Sequence, residues 1–314
     1  MTASLLRLTG LLLVISLLGI LSARTVGGML RADVLVYSAR HSTSESADNA
    51  TYDLYLLDVS RQLVRRLTST PYNATQPDWS PDGRSIAFSA LLEDGNMEIG
   101  EVAADGRHLR LLTRSDIYET TPAYSPDGQQ IAYVADSWRR SVPDLHIMSA
   151  TNATWQRLLQ RDSLDAVPRW SPDGARLIFA AMDTAPYMQR IYSVRRDGSD
   201  LIALTGTGAD DAYTDEPDIS PDGQHIVYVR DESELWLINL DGSDPRRLTR
   251  HSDTCALDSP RWSPDGMRIA YIALCGYDLT YLALIDLRDG SPQRVAPQML
   301  RLLRAPASGL DWQP

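Results

Sequence analysis

The chain has 314 residues, 43% of them hydrophobic and 23% charged, the make-up of a globular protein with ample core rather than of a disordered one. Its formal charge is −11 and all 30 basic residues are Arg. That balance argues against nucleic acid as a partner, since phosphate binding needs a basic surface, and the lack of Lys removes Schiff-base chemistry.

The first 24 residues hold one early Arg and then an uncharged apolar run from Leu8 to Ala23. This segment reads as a signal peptide or a signal anchor. The run is short for a membrane span, but no Ala-x-Ala cleavage site follows it, which favours an uncleaved transmembrane helix. No Cys follows either, which excludes a lipoprotein anchor. The chain is therefore expected to be exported to the cell envelope, either membrane-anchored or released into the periplasm. Residues 25–32 read as a short linker, and residues 33–314 as one domain.

That domain opens with three short β patterns, "DVLVYSAR", "DLYLLDV" and "VRRLTST". A twelve-residue stretch then recurs five times: "DWSPDGRSIAFS" from Asp78, "AYSPDGQQIAYV" from Ala123, "RWSPDGARLIFA" from Arg169, "DISPDGQHIVYV" from Asp218 and "RWSPDGMRIAYI" from Arg261. Their SPDG serines, Ser80, Ser125, Ser171, Ser220 and Ser263, are spaced by 45, 46, 49 and 43 residues, a propeller period. In SPDG, Pro presets φ, Asp bonds its own backbone and Gly takes the positive φ of a tight turn. A second strand follows each turn, then a third that usually ends in Asp-Gly, then a polar fourth strand bearing arginine. The chain stops at "LDWQP", a first strand without its three partners, while residues 33–70 are three strands without a first. Pairing 309–314 with 33–70 makes a sixth blade and removes the exposed sheet edges. The expected fold is an all-β, six-bladed β-propeller of four-stranded antiparallel blades, preceded by the apolar N-terminal helix.

The pattern "PxWSPDGxxIAF…DG…RRLT" resembles the WD40-like PD40 repeats of the TolB-like propeller superfamily, which also includes the propellers of tricorn and prolyl-oligopeptidase-type peptidases. The resemblance spans about 280 of the 314 residues, with Tyr124 and Ile219 in place of the Trp and Gln313 in place of the last Ser. It implies a propeller and leaves the function open. TolB's additional N-terminal α/β domain is expected to have no counterpart here.

Strand direction puts the SPDG and Asp-Gly turns on one end of the propeller and the longer loops on the other, where function is to be sought. That long-loop face is acidic. Asp116, Glu119, Asp162, Asp165, Asp210, Asp211, Asp215, Glu216, Asp253 and Asp258 fall in the loops entering the blades. Glu45, Asp48, Glu93, Asp94, Asp183, Asp231, Glu232, Glu234 and Asp278 fall in the loops between second and third strands. One reading is solvated loop charge. The sharper one is a site for a cation or a basic partner segment, with Asp210, Asp211, Asp215, Glu216, Asp253 and Asp258 as candidate ligand-binding residues.

Catalytic patterns are absent: there is no G-x-S-x-G elbow, no phosphate-binding loop and no Cys-x-x-Cys. Of the five histidines only His41 and His251 belong to the long-loop face, too few for a metal site by themselves. The Trp row (Trp79, Trp170, Trp262, Trp312) reads as inter-blade packing rather than carbohydrate stacking. Cys255, in the loop entering the fifth repeat, and Cys275, ending the next strand, are placed to form a disulfide in an exported chain. The residues before the Trp positions form a ring: Asp78, Ala123, Arg169, Asp218, Arg261 and Asp311. Asp78 and Asp311 are neighbours across the seam with no arginine between them. They are expected either to share a hard cation such as Ca²⁺ or to rest on hydration and backbone hydrogen bonds.

The expectation is a non-enzymatic, monomeric, exported propeller that acts as a binding scaffold for a protein or glycan on its acidic long-loop face. The alternative is a propeller hydrolase or lyase using carboxylates in the central pocket on a glycan or peptide.

Overall fold

The computed structural model describes residues 33–41, 51–70, 72–136, 143–161, 163–184, 187–206, 212–249, 255–275, 279–290, 292–295 and 308–314. The signal or anchor segment, the linker, and Glu45, Asp48, Asp162, Asp210, Asp211, His251, Asp253 and Asp278 lie outside them.

Six four-stranded antiparallel sheets form the domain Asp33–Pro314. We number the blades by their SPDG turns. The innermost strands of blades 1 to 5 are Asn73–Trp79, Tyr118–Tyr124, Ser163–Trp170, Thr214–Ile219 and Cys255–Trp262. Blade 6 takes its innermost strand, Ser308–Trp312, from the end of the chain and its other three, Val34–His41, Thr51–Asp58 and Leu63–Arg66, from the beginning. Leu35 pairs with Trp312, Val36 with Asp311 and Tyr37 with Leu310. The ring is closed by the two ends of the chain, and the expected strand missing at one terminus is the one supplied by the other.

The SPDG turn owes its regularity to two side chains. In blade 1, Ser80 Oγ donates to Asp82 Oδ1 at 2.7 Å and accepts the Ser85 N–H, while Asp82 Oδ1 also accepts the Arg84 N–H. Gly83, at φ 67°, donates its N–H to Ser80 O. The Ser–Asp bond recurs at Ser125–Asp127, Ser171–Asp173, Ser220–Asp222 and Ser263–Asp265. After the turn, each second strand is buried on both faces, as Ile86–Ala90 and Leu177–Ala181 illustrate. Both faces are covered because blades stack on blades. Val36, Leu54 and Leu56 of blade 6 pack with Trp79, Ile86 and Phe88 of blade 1, and Leu145 and Ile147 of blade 2 with Trp170 and Phe179 of blade 3. The Trp row lies in these seams: Trp170 Nε1 donates to Ala123 O at 3.1 Å and Trp312 Nε1 to Arg261 O at 3.2 Å.

In blade 5, Cys255 stands directly opposite Cys275 on the neighbouring strand, with Cα atoms 4.1 Å apart, and the two are joined by a disulfide. The bond closes a loop of 20 residues, worth about 3 kcal/mol in the chain-entropy description. Thiol labelling of denatured, unreduced protein is expected to find no reactive thiol; two per chain would eliminate the bond.

Candidate functional site

Each innermost strand carries one irregularity at the same place. The register against the second strand slips between Thr75 and Asp78, Thr120 and Ala123, Ala166 and Arg169, Asp215 and Asp218, and Asp258 and Arg261. At these bulges the backbone is left-handed at Gln76, Thr121, Val167, Glu216 and Ser259, and in blade 6 at Gly309. In the first five blades the next residue is Pro, which has no N–H to give the ladder and is tolerated at a bulge. The bulge turns these six side-chain positions toward the propeller axis. There Gln76, Thr121, Val167, Glu216, Ser259 and Gly309 ring a cavity of about 60 Å³, completed by Pro122, Arg169, Asp258 and Arg261. Larger grooves of 530 and 300 Å³ lie between blades 4 and 5 and between blades 5 and 6, on the opposite, tight-turn end. The acids of the first, Asp222 and Asp265, are already bonded by Ser220 and Ser263, and those of the second, Asp33 and Asp286, are paired with Arg268 and Arg288.

Of the acidic candidates, Glu216 and Asp258 line the channel cavity, and Asp215 stands near enough to act on both as a like charge. They stand in strands Thr214–Ile219 and Cys255–Trp262 rather than in the entering loops, because the alternation of the innermost strand begins earlier than the loop composition indicates. Glu119 is likewise inside strand Tyr118–Tyr124, and Asp183 inside strand Arg176–Thr184. Burial, with Asp258 and Asp215 as like charges nearby, pushes the Glu216 carboxyl well above the usual range. Burial also raises Asp215, against the N–H of Glu216, and Asp258, against the hydroxyl of Ser259. Around these acids stand donors that find no hydrogen-bond partner among the described residues: Thr121 Oγ1, Arg169 Nε and Arg261 Nε, on residues exposed by only 8%, 8% and 3%.

The ring before the Trp positions lies next along the channel. Asp311 Oδ2 accepts the Trp79 N–H, Asp78 Oδ2 the Tyr124 N–H and Asp218 Oδ2 the Trp262 N–H, each at 2.7 Å. Each of these aspartates thus ties its blade to the next. Arg169 reaches into the channel to 3.9 Å from both Asp78 Oδ1 and Asp218 Oδ1. The seam pair has no arginine beside it in ring order, yet the length of the Arg169 side chain brings one across the axis. Burial drives Asp78 well above its ordinary range, with Asp311 raising it further and Arg169 lowering it. Burial carries Asp311 to about 6 and Asp218 to about 7.

Among the described residues no cluster of three or more His, Cys, Asp or Glu is arranged to hold a metal ion. A Ca²⁺ ion at Asp78 and Asp311 would compete for those oxygens with Arg169 and the backbone N–H donors. Titrating Ca²⁺ into chelator-treated protein measures that competition. A calcium site raises the melting temperature in the parent and not in Asp78→Asn or Asp311→Asn; no rise, or a rise that survives both substitutions, removes the site.

Sequence reasoning missed the bulge ring because its six members share no side chain. The signal available was the Pro that follows five of them.

Comparison with known proteins agrees with this architecture. Residues 40–138 match the family model described as PD40, TolB beta propeller domain. An uncharacterised protein of Agrobacterium fabrum is 30% identical over 206 residues, covering 62% of this chain and 67% of the relative. The Tol-Pal system protein TolB of Francisella tularensis is 27% identical over 232 residues, covering 72% of this chain, which spans about half (52%) of that relative's length. Among solved structures, TolB from Acinetobacter baumannii superposes with a TM-score of 0.74 at 19% identity, over 90% of this chain and 67% of that one. A putative TolB from Agrobacterium tumefaciens gives 0.66 at 18% identity, over 91% of this chain and 100% of that one. With six four-stranded blades, five of them opened by an SPDG turn, a terminal strand that closes the ring, and a relative 30% identical over two thirds of its length, the chain belongs to the TolB-like β-propeller family.

Proposed function

We propose that this chain is a non-enzymatic, exported propeller of the cell envelope that holds a segment of a partner protein at the channel mouth on its long-loop face. The observation that carries the reading is the meeting of Glu216 and Asp258 with Thr121 Oγ1 and the Nε atoms of Arg169 and Arg261, which have no hydrogen-bond partner among the described residues, around one small opening. Such an opening, lined by carboxyls and guanidiniums together, offers both acceptors and donors to a peptide segment. The relatives named for the Tol-Pal system support a protein as the partner. The apolar N-terminal run supports export, with attachment to the membrane where that run is retained.

A photo-crosslinking residue in place of Gln76, at the mouth, is expected to trap a defined partner in native envelopes. The same residue in place of Met267, half exposed on the tight-turn end, is expected to trap none. Equal capture from both ends overturns the reading. Turnover of a glycan or peptide substrate that is abolished by Glu216→Gln replaces it with the hydrolase or lyase, for which the same carboxylates would serve.

A further inference from the structure

A second group of buried acids lies away from the channel, between blades 1 and 2 beneath the long-loop face. Glu98 stands at the start of strand Met97–Ala103 and Glu119 at the start of strand Tyr118–Tyr124; they are exposed by only 2% and 3%. The repeat shows what is unusual about them. In three other blades the third strand opens with a carboxylate, Asp53, Asp144 or Glu234, and each is paired with an arginine of the fourth strand: Arg66 at 2.6 Å, Arg157 at 3.4 Å and Arg247 at 2.7 Å. Those arginines stand opposite the residue two places after the acid: Tyr55 faces Arg66, His146 faces Arg157 and Trp236 faces Arg247. In blade 1 the same register sets Gly100 opposite Leu111. The arginine is missing, and Arg110 beside it is engaged with Glu101 at 2.7 Å.

In its place Glu98 accepts hydrogen bonds from Thr113 Oγ1 at 2.7 Å, the Ser115 N–H at 2.9 Å and Asn96 Nδ2 at 2.9 Å. Glu119 arrives from blade 2 within hydrogen-bonding reach of Glu98, and its Oε2 has no hydrogen-bond partner among the described residues. Two carboxyl groups in contact, out of water and without a cation paired to either among the described residues, cannot both be charged at ordinary cost. We propose that Glu98 and Glu119 form a binding site for one proton, which lies between the two carboxyls and clamps blade 1 to blade 2.

The bond is a hydrogen bond from the Glu119 carboxyl to the Glu98 carboxylate, strengthened by the charge of its acceptor. The groups facing the pair are Thr113 and Ser115 from the segment after the fourth strand, and Tyr133 from strand Gln130–Asp136. Asp136, opposite Tyr118 in register, projects from the other face of that strand. Burial is the main cause that raises the Glu119 carboxyl, to about 7, so the proton is released near neutral pH and the clamp with it.

Carbon-13 NMR titration of glutamate-labelled protein tests the site, with the Glu119 carboxyl signal assigned by its loss in Glu119→Gln. The expected midpoint is about 7. In Leu111→Arg, which restores the arginine of the other blades, the midpoint is expected to fall by more than about one pH unit. Three results overturn the proposal: a parent midpoint in the ordinary glutamate range near about 4.3; a midpoint unmoved in folded Leu111→Arg; or a Glu119 signal displaced at constant pH by Na⁺ or Ca²⁺, which would make the pair a cation site. The parent midpoint is read without Leu111→Arg, so a failure of that variant to fold leaves the first test standing.

Discussion

A chain lacking residues 309–314 is expected to lose its cooperative unfolding transition at ordinary temperature, or to melt at least about 10 °C below the full domain. Those six residues include all but the first residue of the innermost strand of blade 6, Ser308–Trp312. They bury Leu310 completely and Trp312 to within 4%. They also supply Asp311, which accepts the Trp79 N–H of blade 1, and cover the inner edge of strand Val34–His41. Deleting one large core side chain costs about 2–5 kcal/mol, and two are lost here together with a sheet edge, against a total stability of about 5–15 kcal/mol. The cost is nonlocal, because a ring opened at one seam leaves blades 1 and 6 without their shared face. The same seam can be probed by a single methyl group. A Cβ on Gly309 would lie 2.5 Å from Gln76 Cα and 2.9 Å from Pro77 Cδ, and the residue sits at φ 74°. Gly309→Ala is therefore expected to be strongly destabilising. If the truncated chain melts within about 2 °C of the parent by calorimetry, the terminal strand does not close the ring.

The fold was legible because a propeller writes each structural requirement several times. One SPDG tetrad would be a weak turn signal, whereas five at nearly equal spacing, with complementary fragments at the two ends, leave one arrangement. The site was harder to read for the opposite reason. A functional opening is built where the repeat is allowed to vary: Gln76, Thr121, Val167, Glu216, Ser259 and Gly309 occupy equivalent backbone positions with six different side chains. Loop composition pointed to Asp215, Glu216 and Asp258. It could not separate them from Asp231 or Glu234, because the bulge that turns Glu216 inward is a backbone event. Glu234 instead bonds Arg247 on the outside of its blade. Charge order around the ring was similarly incomplete. It tracked neighbours along the circumference, and the guanidinium of Arg169 acts across the diameter.

The channel carboxylates make the second large expected effect one of pH. Asp78 and Glu216 lie well above their ordinary range, Asp218 at about 7 and Asp311 at about 6, with burial as the main cause in each. In the unfolded chain such groups titrate near about 4. Between those limits the folded protein holds more protons than the unfolded one, so their stabilisation is fully present below the unfolded value and is lost as pH rises through about 6 to 7. His146 opposes them. Burial pulls it down to about 4, so the unfolded chain takes up its proton first and stability falls with pH through that interval. Several carboxyls against one imidazole leave the net sign with the carboxyls. Below the ordinary carboxylate range a third set takes over: Asp82, Asp127, Asp173 and Asp222 are held low by the serines of their turns, and the stability they contribute is lost as they protonate. The domain is therefore expected to be most stable in mildly acid solution, with a melting temperature at pH 5.5 at least about 5 °C above that at pH 8, an effect on the order of a few kcal/mol. Asp218→Asn keeps an oxygen to accept the Trp262 N–H without the charge, so it is expected to raise stability at pH 8, leave it nearly unchanged at pH 5, and flatten the profile between them. A parent protein as stable at pH 8 as at pH 5.5, or an Asp218→Asn profile parallel to the parent's, would show that these carboxyls are paired as anions in the channel, with Arg169 and Arg261 sufficient to hold them so.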